Sequence, residues 1–72
     1  MDVRQCKMAR AALSWSAKDL AEAAGLTRVT VARFESSQPI DQKSLSAMKV
    51  ALEAAGAHFS HRGGRVGVSV PE

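Results

Sequence analysis

The chain has no tyrosine, one tryptophan (Trp15), two phenylalanines (Phe34 and Phe59) and one cysteine, Cys6. Its apolar residues are instead largely alanine, which suits helices that approach each other closely better than a large β core. A single cysteine excludes an intrachain disulfide, and nothing around it calls for an oxidising compartment. No apolar run approaches the roughly 18 to 20 residues that a bilayer-spanning helix needs. The opening MDVRQCKMARAAL also lacks the uninterrupted apolar stretch of a secretory signal, so a cytoplasmic protein with no membrane partner is expected. The 72 residues make one domain, and a domain near that size buries only about 60% of the surface its unfolded form exposes. So thin a core leaves little room for a self-contained enzyme cleft, and a surface offered to a larger partner is the better expectation. Acids are the minority charge: seven Asp and Glu against ten Lys and Arg leave a formal net charge of +3. That balance agrees with a polyanionic partner without identifying one.

Apolar residues recur at three- and four-residue steps through Val3, Cys6, Met8, Ala9, Ala12 and Leu13, which predicts a first helix over Val3 to Leu13 ending at Ser14. Trp15 precedes Ser16, a helix-capping residue, and Asp19 stands three further on, where a capping box carries its acid. Trp15 and Leu20 take the two places of a hydrophobic staple. The second helix therefore runs from Ala17 to Ala24, burying Leu20, Ala21 and Ala24. Gly25 stops it, because glycine adopts the left-handed conformation at little cost. Leu26 and Val31 form another staple around the capping Thr27 and start a third helix, Arg28 to Glu35, with Val31 and Phe34 on its buried face. The loop SSQPID follows; Pro39 turns Gln38 away from helix, and Asp41 can cap a fourth helix from about Gln42 to Ala55. That helix carries Leu45, Met48, Leu52 and Ala55 at helical steps, and Gly56 supplies its stop. Beyond it the period changes to two. AHFSH and RVGVSV alternate apolar and polar residues around RGG, which predicts a short β-hairpin or an extended arm.

A helix, a glycine-cornered turn of three residues and a second helix make the helix-turn-helix arrangement. Counted from Ala17, small Ala21 is fifth, Gly25 ninth, Leu26 tenth, Val31 fifteenth and Phe34 eighteenth. A small fifth residue lets the two helices cross closely, the ninth needs glycine's freedom, and the apolar places lock the second helix onto the first.

The longer run MARAALSWSAKDLAEAAGLTRVTVARFESS resembles the Cro/repressor-type (XRE) family of bacterial and phage DNA-binding proteins, over about Met8 to Leu52. The resemblance implies a mainly α fold, a four-helix Cro/repressor-like helix-turn-helix domain with a short C-terminal β-hairpin or arm. It implies a sequence-specific regulator of transcription that binds double-stranded DNA as a homodimer on an inverted repeat. In that family an arginine of the first helix commonly pairs with a glutamate ending the recognition helix, and Arg10 and Glu35 occupy those places. Thr27, Arg28, Val29, Thr30 and Arg33 fall on the helix that enters the major groove. Arg28 suits a bidentate contact to guanine, Val29 a thymine methyl, Thr30 a base edge or phosphate, and Arg33 the backbone or the far edge of the site. Ser16 and Lys18, at the positive end of the second helix, suit phosphate. Many family members carry a DNA-contacting glutamine where this chain has Ala17, which cannot make that hydrogen bond, so the base code of relatives does not transfer.

Other constellations point to little chemistry. His58, His61 and Cys6 lack zinc-site spacing, so no metal is expected, and no arrangement activates Cys6 as a nucleophile. RGGR lacks the strand–glycine–helix context of a phosphate loop and is most simply a turn. No catalytic constellation or cofactor motif is present, so the expectation is a non-enzyme without a cofactor. Phe59, Val66, Val68 and Val70 would give a hairpin one apolar face, which needs a cover. The plain expectation is that it covers the fourth helix; the sharper one is that it forms a dimer interface with a second copy. The chain then divides into a helix-turn-helix domain over 1–56 and a C-terminal β element over 57–72, which on the second of these expectations is a dimerisation arm. The alternative function is an antitoxin-like or adaptor module that holds a protein partner, with DNA binding secondary.

Overall fold

All residues from Met1 to Glu72 are described by the computed structural model, in the order α1 (Val3–Leu13), α2 (Ala17–Ala24), α3 (Arg28–Glu35), α4 (Gln42–Ala54), β1 (His58–Arg62) and β2 (Arg65–Ser69). Every helix starts on a side chain that satisfies its first turn. Asp2 accepts from the Gln5 amide at 2.8 Å, Ser16 from Asp19 at 3.0 Å, Thr27 from Thr30 at 3.3 Å and Asp41 from Ser44 at 3.2 Å. The box at Ser16 closes, because Asp19 in turn accepts from the Ser16 amide at 2.8 Å. Gly25, with φ +69°, ends α2, and Gly56, with φ +102°, follows α4. At Gly56 space matters as much as angle: a Cβ built there would lie 2.6 Å from the Pro71 ring. α4 ends one residue earlier than expected, at Ala54, with Ala55 as its cap.

The core is small and shared by all four helices. Leu20, Met48, Leu52, Val31 and Cys6 are fully buried, with Ala9, Ala21, Phe34, Ala51 and Ala57 around them. α2 is central, lying against both α3 and α4, while α1 closes the other side against α3. Trp15 and Leu26, the outer members of the two staples, pack half-buried on this core. Ala24 is only half-buried, being the last residue of its helix.

Two of the apolar positions expected in α1, Met8 and Ala12, are exposed. The strip that meets the other helices is Cys6, Ala9 and Leu13, and Met8 and Ala12 lie on its flank. Gln5, two turns before Ala12 on that same flank, is buried because the hairpin covers only the N-terminal half of α1.

β1 and β2 pair antiparallel around Gly63 and Gly64, with φ +57° and +74°. Two successive left-handed residues make the tight turn whose twist matches a hairpin, and glycine holds both places without strain. The opposed pairs Phe59–Val68 and His61–Val66 share one face of the ribbon. The hairpin packs chiefly on α1, through β2, rather than chiefly on α4 as the sequence suggested; Phe59, Val68 and Val70 meet the edge of the shared core. Gln5 explains the choice. Its Nε2 donates to the Ser60 carbonyl at 2.9 Å and the Gly67 carbonyl at 3.3 Å, tying both strands to the helix. Gln5→Ala should cost about 1 kcal/mol, the ordinary net worth of such hydrogen bonds. Amide hydrogen exchange should locate the loss in β1 and β2, with α2 and α3 keeping their relative protection.

Candidate nucleic-acid interface

α3 is held from beneath by Val31 and Phe34 and presents the rest of itself to solvent. Thr27, Arg28, Val29 and Arg33 are exposed and Thr30 is half-buried. Val29 leaves 59% of its surface in water, comparable with Val50 of α4 at 62%, so its exposure alone marks no site. The Thr27 and Thr30 hydroxyls lie 3.2 Å apart in the cap, so both are oriented along the first turn. Ser16 and Lys18 are exposed at the start of α2, the helix that α3 packs on. Lys18 has only a loose neighbour, Glu22 at 4.0 Å, both mostly exposed, and such surface pairs constrain little.

The far end of α3 is tied to α1. Arg10 donates from Nε to Glu35 Oε2 at 2.8 Å and from Nη2 to Oε1 at 2.7 Å, a bidentate fork. Its Nη1 donates to the Trp15 carbonyl at 3.0 Å, so one guanidinium also fixes the chain between α1 and α2. The two side chains keep only 21% and 12% of their surface in solvent. Burial pushes the Glu35 carboxyl up, but the hydrogen bonds from Arg10 and Cys6 outweigh it and hold the group below its ordinary value. The same bond with Glu35 raises Arg10. Cys6 is the third member, its thiol donating to Glu35 Oε2 at 3.3 Å. Burial first, and then the Glu35 hydrogen bond and charge, push that thiol up to about 12, so it stays protonated and unreactive.

This triad has an electrostatic consequence at the surface. Glu35 is the one acid of α3, and its carboxylate is consumed inside. The outer face of the helix therefore shows Arg28 and Arg33 with no acid of its own competing for them. Sequence reasoning placed Arg10 opposite Glu35, but not the thiol or the Trp15 carbonyl. The signal for Cys6 was its place one helical turn before Arg10.

The tail residues sit elsewhere. Phe59, Val68 and Val70 are half-buried against the chain's own core, and Val66 is half-buried nearer the turn. His58 and His61 fall on opposite faces of β1, and no three His, Cys, Asp or Glu side chains gather to hold a metal. Nor is any helix long and apolar enough to cross a membrane.

A family model described as helix-turn-helix matches residues 7–53, from within α1 through nearly all of α4. No curated protein matches the sequence. With the match spanning well over half of the chain, and with a capped α2, a glycine corner and an α3 locked to α1, the protein belongs to the Cro/repressor-type (XRE) helix-turn-helix family of DNA-binding transcription regulators.

Proposed function

We propose that the protein recognises a specific double-stranded DNA sequence as a homodimer on an inverted repeat, with α3 of each copy in the major groove, and so regulates transcription in the cytoplasm or nucleoid. The observation that carries this reading is the outer face of α3, which is exposed, basic, free of unpaired acid and fixed at both ends. Arg28, in the first turn, makes the bidentate contact to a guanine O6 and N7, and Val29 covers a thymine methyl. Thr27 and Thr30 reach a base edge or a phosphate, and Arg33, about one turn on, takes the backbone. Ser16 and Lys18 hold a phosphate at the start of α2, where free backbone N–H groups already favour an anion. The hairpin carrying Phe59, Val66, Val68 and Val70 joins the two copies and spaces the recognition helices by one DNA turn, about 34 Å.

A salt titration of duplex affinity tests the electrostatic half of this proposal. Log affinity should fall linearly with log salt concentration, with a slope of about −0.9 for each phosphate neutralised. Lys18→Ala should weaken every duplex similarly and flatten that slope by about 0.9 per recognition helix. Salt-insensitive binding, or none, would contradict the proposal.

A further inference from the structure

The tip of the hairpin carries a charge arrangement that its fold does not need. Arg62 and Arg65 are opposed across the Gly63–Gly64 turn, and a two-residue turn makes its flanking residues a hydrogen-bonded pair with Cα atoms about 5.5 Å apart. Their side chains share one face, and like charges directly opposite destabilise a sheet. No acid offsets them. Both are exposed, and the three ion pairs of the chain join Arg4 to Asp2, Arg10 to Glu35 and Lys18 to Glu22. The Gly63 and Gly64 N–H groups lie outside both strands and donate to nothing in the chain. A Cβ on either glycine would meet no atom within 4 Å, so the tip is open. Two guanidinium groups and two unpaired amides thus stand together with no counter-charge.

The tip continues a wider asymmetry. α1, α3 and the hairpin hold seven of the ten Lys and Arg and one acid, Glu35, whereas α2 and α4 hold three of each sign. α1 lies against both β2 and α3, so the basic elements are neighbours and the tip extends the part of the chain that includes the recognition helix. We infer that the hairpin tip holds a backbone phosphate of the bound duplex, Arg62 and Arg65 donating to its oxygens, as a contact separate from those of α3 and of Lys18. The inference rests on the DNA reading above and adds a second anchor to it. Arginine is the side chain whose planar fork fits phosphate oxygens, and a phosphate between two guanidinium groups replaces their repulsion with attraction. The glycines matter for access, because a side chain at either would stand between the free amides and the duplex. The chain measures 31 Å at its longest, less than one DNA turn of about 34 Å, so the tip and α3 can engage one duplex within a single turn.

The full chain carrying Arg62→Ala and Arg65→Ala together tests the contact, on the duplex that the wild-type chain selects and on unrelated duplex. Affinity for both should fall about tenfold or more for each chain bound, with base preference unchanged. The salt slope should flatten by about 0.9 for each phosphate released. Phosphate ethylation interference should lose a set of positions different from the set that Lys18→Ala loses. Arg62→Lys with Arg65→Lys should restore the slope and only part of the affinity, because an ammonium keeps the charge without the fork. Removing a repulsive pair should leave the melting temperature unchanged or raised, and sedimentation equilibrium should give the wild-type mass. DNA affinity within twofold of wild type would overturn the inference, as would a loss accompanied by a lower melting temperature or an altered mass. So would a polyglutamate peptide whose binding the alanine variant loses while its DNA affinity is intact, which would assign the tip to an acidic protein. A variant that binds and selects DNA as the wild type does removes the tip contact and leaves the reading of α3 standing. A wild-type chain that selects no sequence, with an affinity that the tip variant still lowers, removes the reading of α3 and leaves the tip contact.

Discussion

Arg10→Ala is expected to cost about 3 kcal/mol of folding stability, the lower end for removing one partner of a buried ion pair because Arg10 keeps some contact with water. The change leaves the Glu35 carboxylate inside with only the Cys6 thiol for a partner, and frees the Trp15 carbonyl as well. A domain of 72 residues has about 4 to 11 kcal/mol of stability in all, so the loss is a large share of it. Each kcal/mol corresponds to roughly 4–8 °C for domains near this size, and a fall in melting temperature on the order of 10–25 °C should follow. Arg10→Lys should lie between, since an ammonium keeps the charge but cannot form the fork or reach the Trp15 carbonyl at the same time. The Arg10→Ala/Glu35→Ala double variant should be less damaged than the sum of the single changes, because no charge is then stranded. A loss below about 0.5 kcal/mol for Arg10→Ala would show the pair to be ordinary surface charge.

The pair also sets a direction with pH. The folded Glu35 carboxyl lies below its ordinary 4.5, so its contribution is fully present above that value and is lost as pH falls through the folded one. The capping carboxylates act the same way. Asp2 is lowered chiefly by the Gln5 backbone N–H, Asp19 by that of Ser16 and Asp41 by the Ser44 hydroxyl. Stability should therefore drop as pH is taken below about 4.5. Glu35→Gln should start lower and show a shallower drop.

Arg28→Ala should leave the fold intact and remove base discrimination. A bidentate arginine–guanine contact is worth roughly 1–3 kcal/mol against a wrong base, which is about 5- to 150-fold in relative affinity. The loss should fall at one base pair of each half-site, with affinity for unrelated duplexes reduced only by the missing charge. Lys18→Ala provides the contrast, a uniform weakening. Comparing both variants on the preferred site and on single-base changes of it separates the roles, and uniform loss in both would refute the division. Arg28 has little structural work to compromise this test, being exposed in the first turn of a helix whose buried contacts are Val31 and Phe34.

What was legible in the sequence was chemistry confined to a few neighbouring residues. Ser16, Thr27 and Asp41 announce helix starts because each cap accepts from an amide three residues on, and Gly25 marks the corner because only its own backbone angle is at stake. Ser14 and Ser37 also adopt left-handed conformations, at φ +59° and +63°. Serine gives no such notice, and both positions are set by the helix ends that they close. The hairpin was legible from its alternation and glycine pair, but its resting place was not. That depends on Gln5 meeting Ser60 and Gly67, partners 55 and 62 residues away, and a glutamine in an amphipathic helix reads as a solvated one. The exposure of Met8 and Ala12 follows from the same fact, since hydrophobicity shows which residues can be buried and only packing shows how far the cover extends. On α3, the motif placed Arg28, Val29 and Arg33 on the outer face, where all three are exposed. That Glu35 is withdrawn from their surface became visible only with the Arg10 and Cys6 contacts in place.

The central claim, that two copies of α3 read an inverted repeat, is tested most directly by selection from a randomised duplex pool at near-physiological salt, with the mass of the recovered complex measured. Two-fold recognition should yield a palindromic consensus, half-sites centred about 10 base pairs apart, and two chains per duplex. An unenriched pool, or a single chain on an asymmetric site, would contradict it.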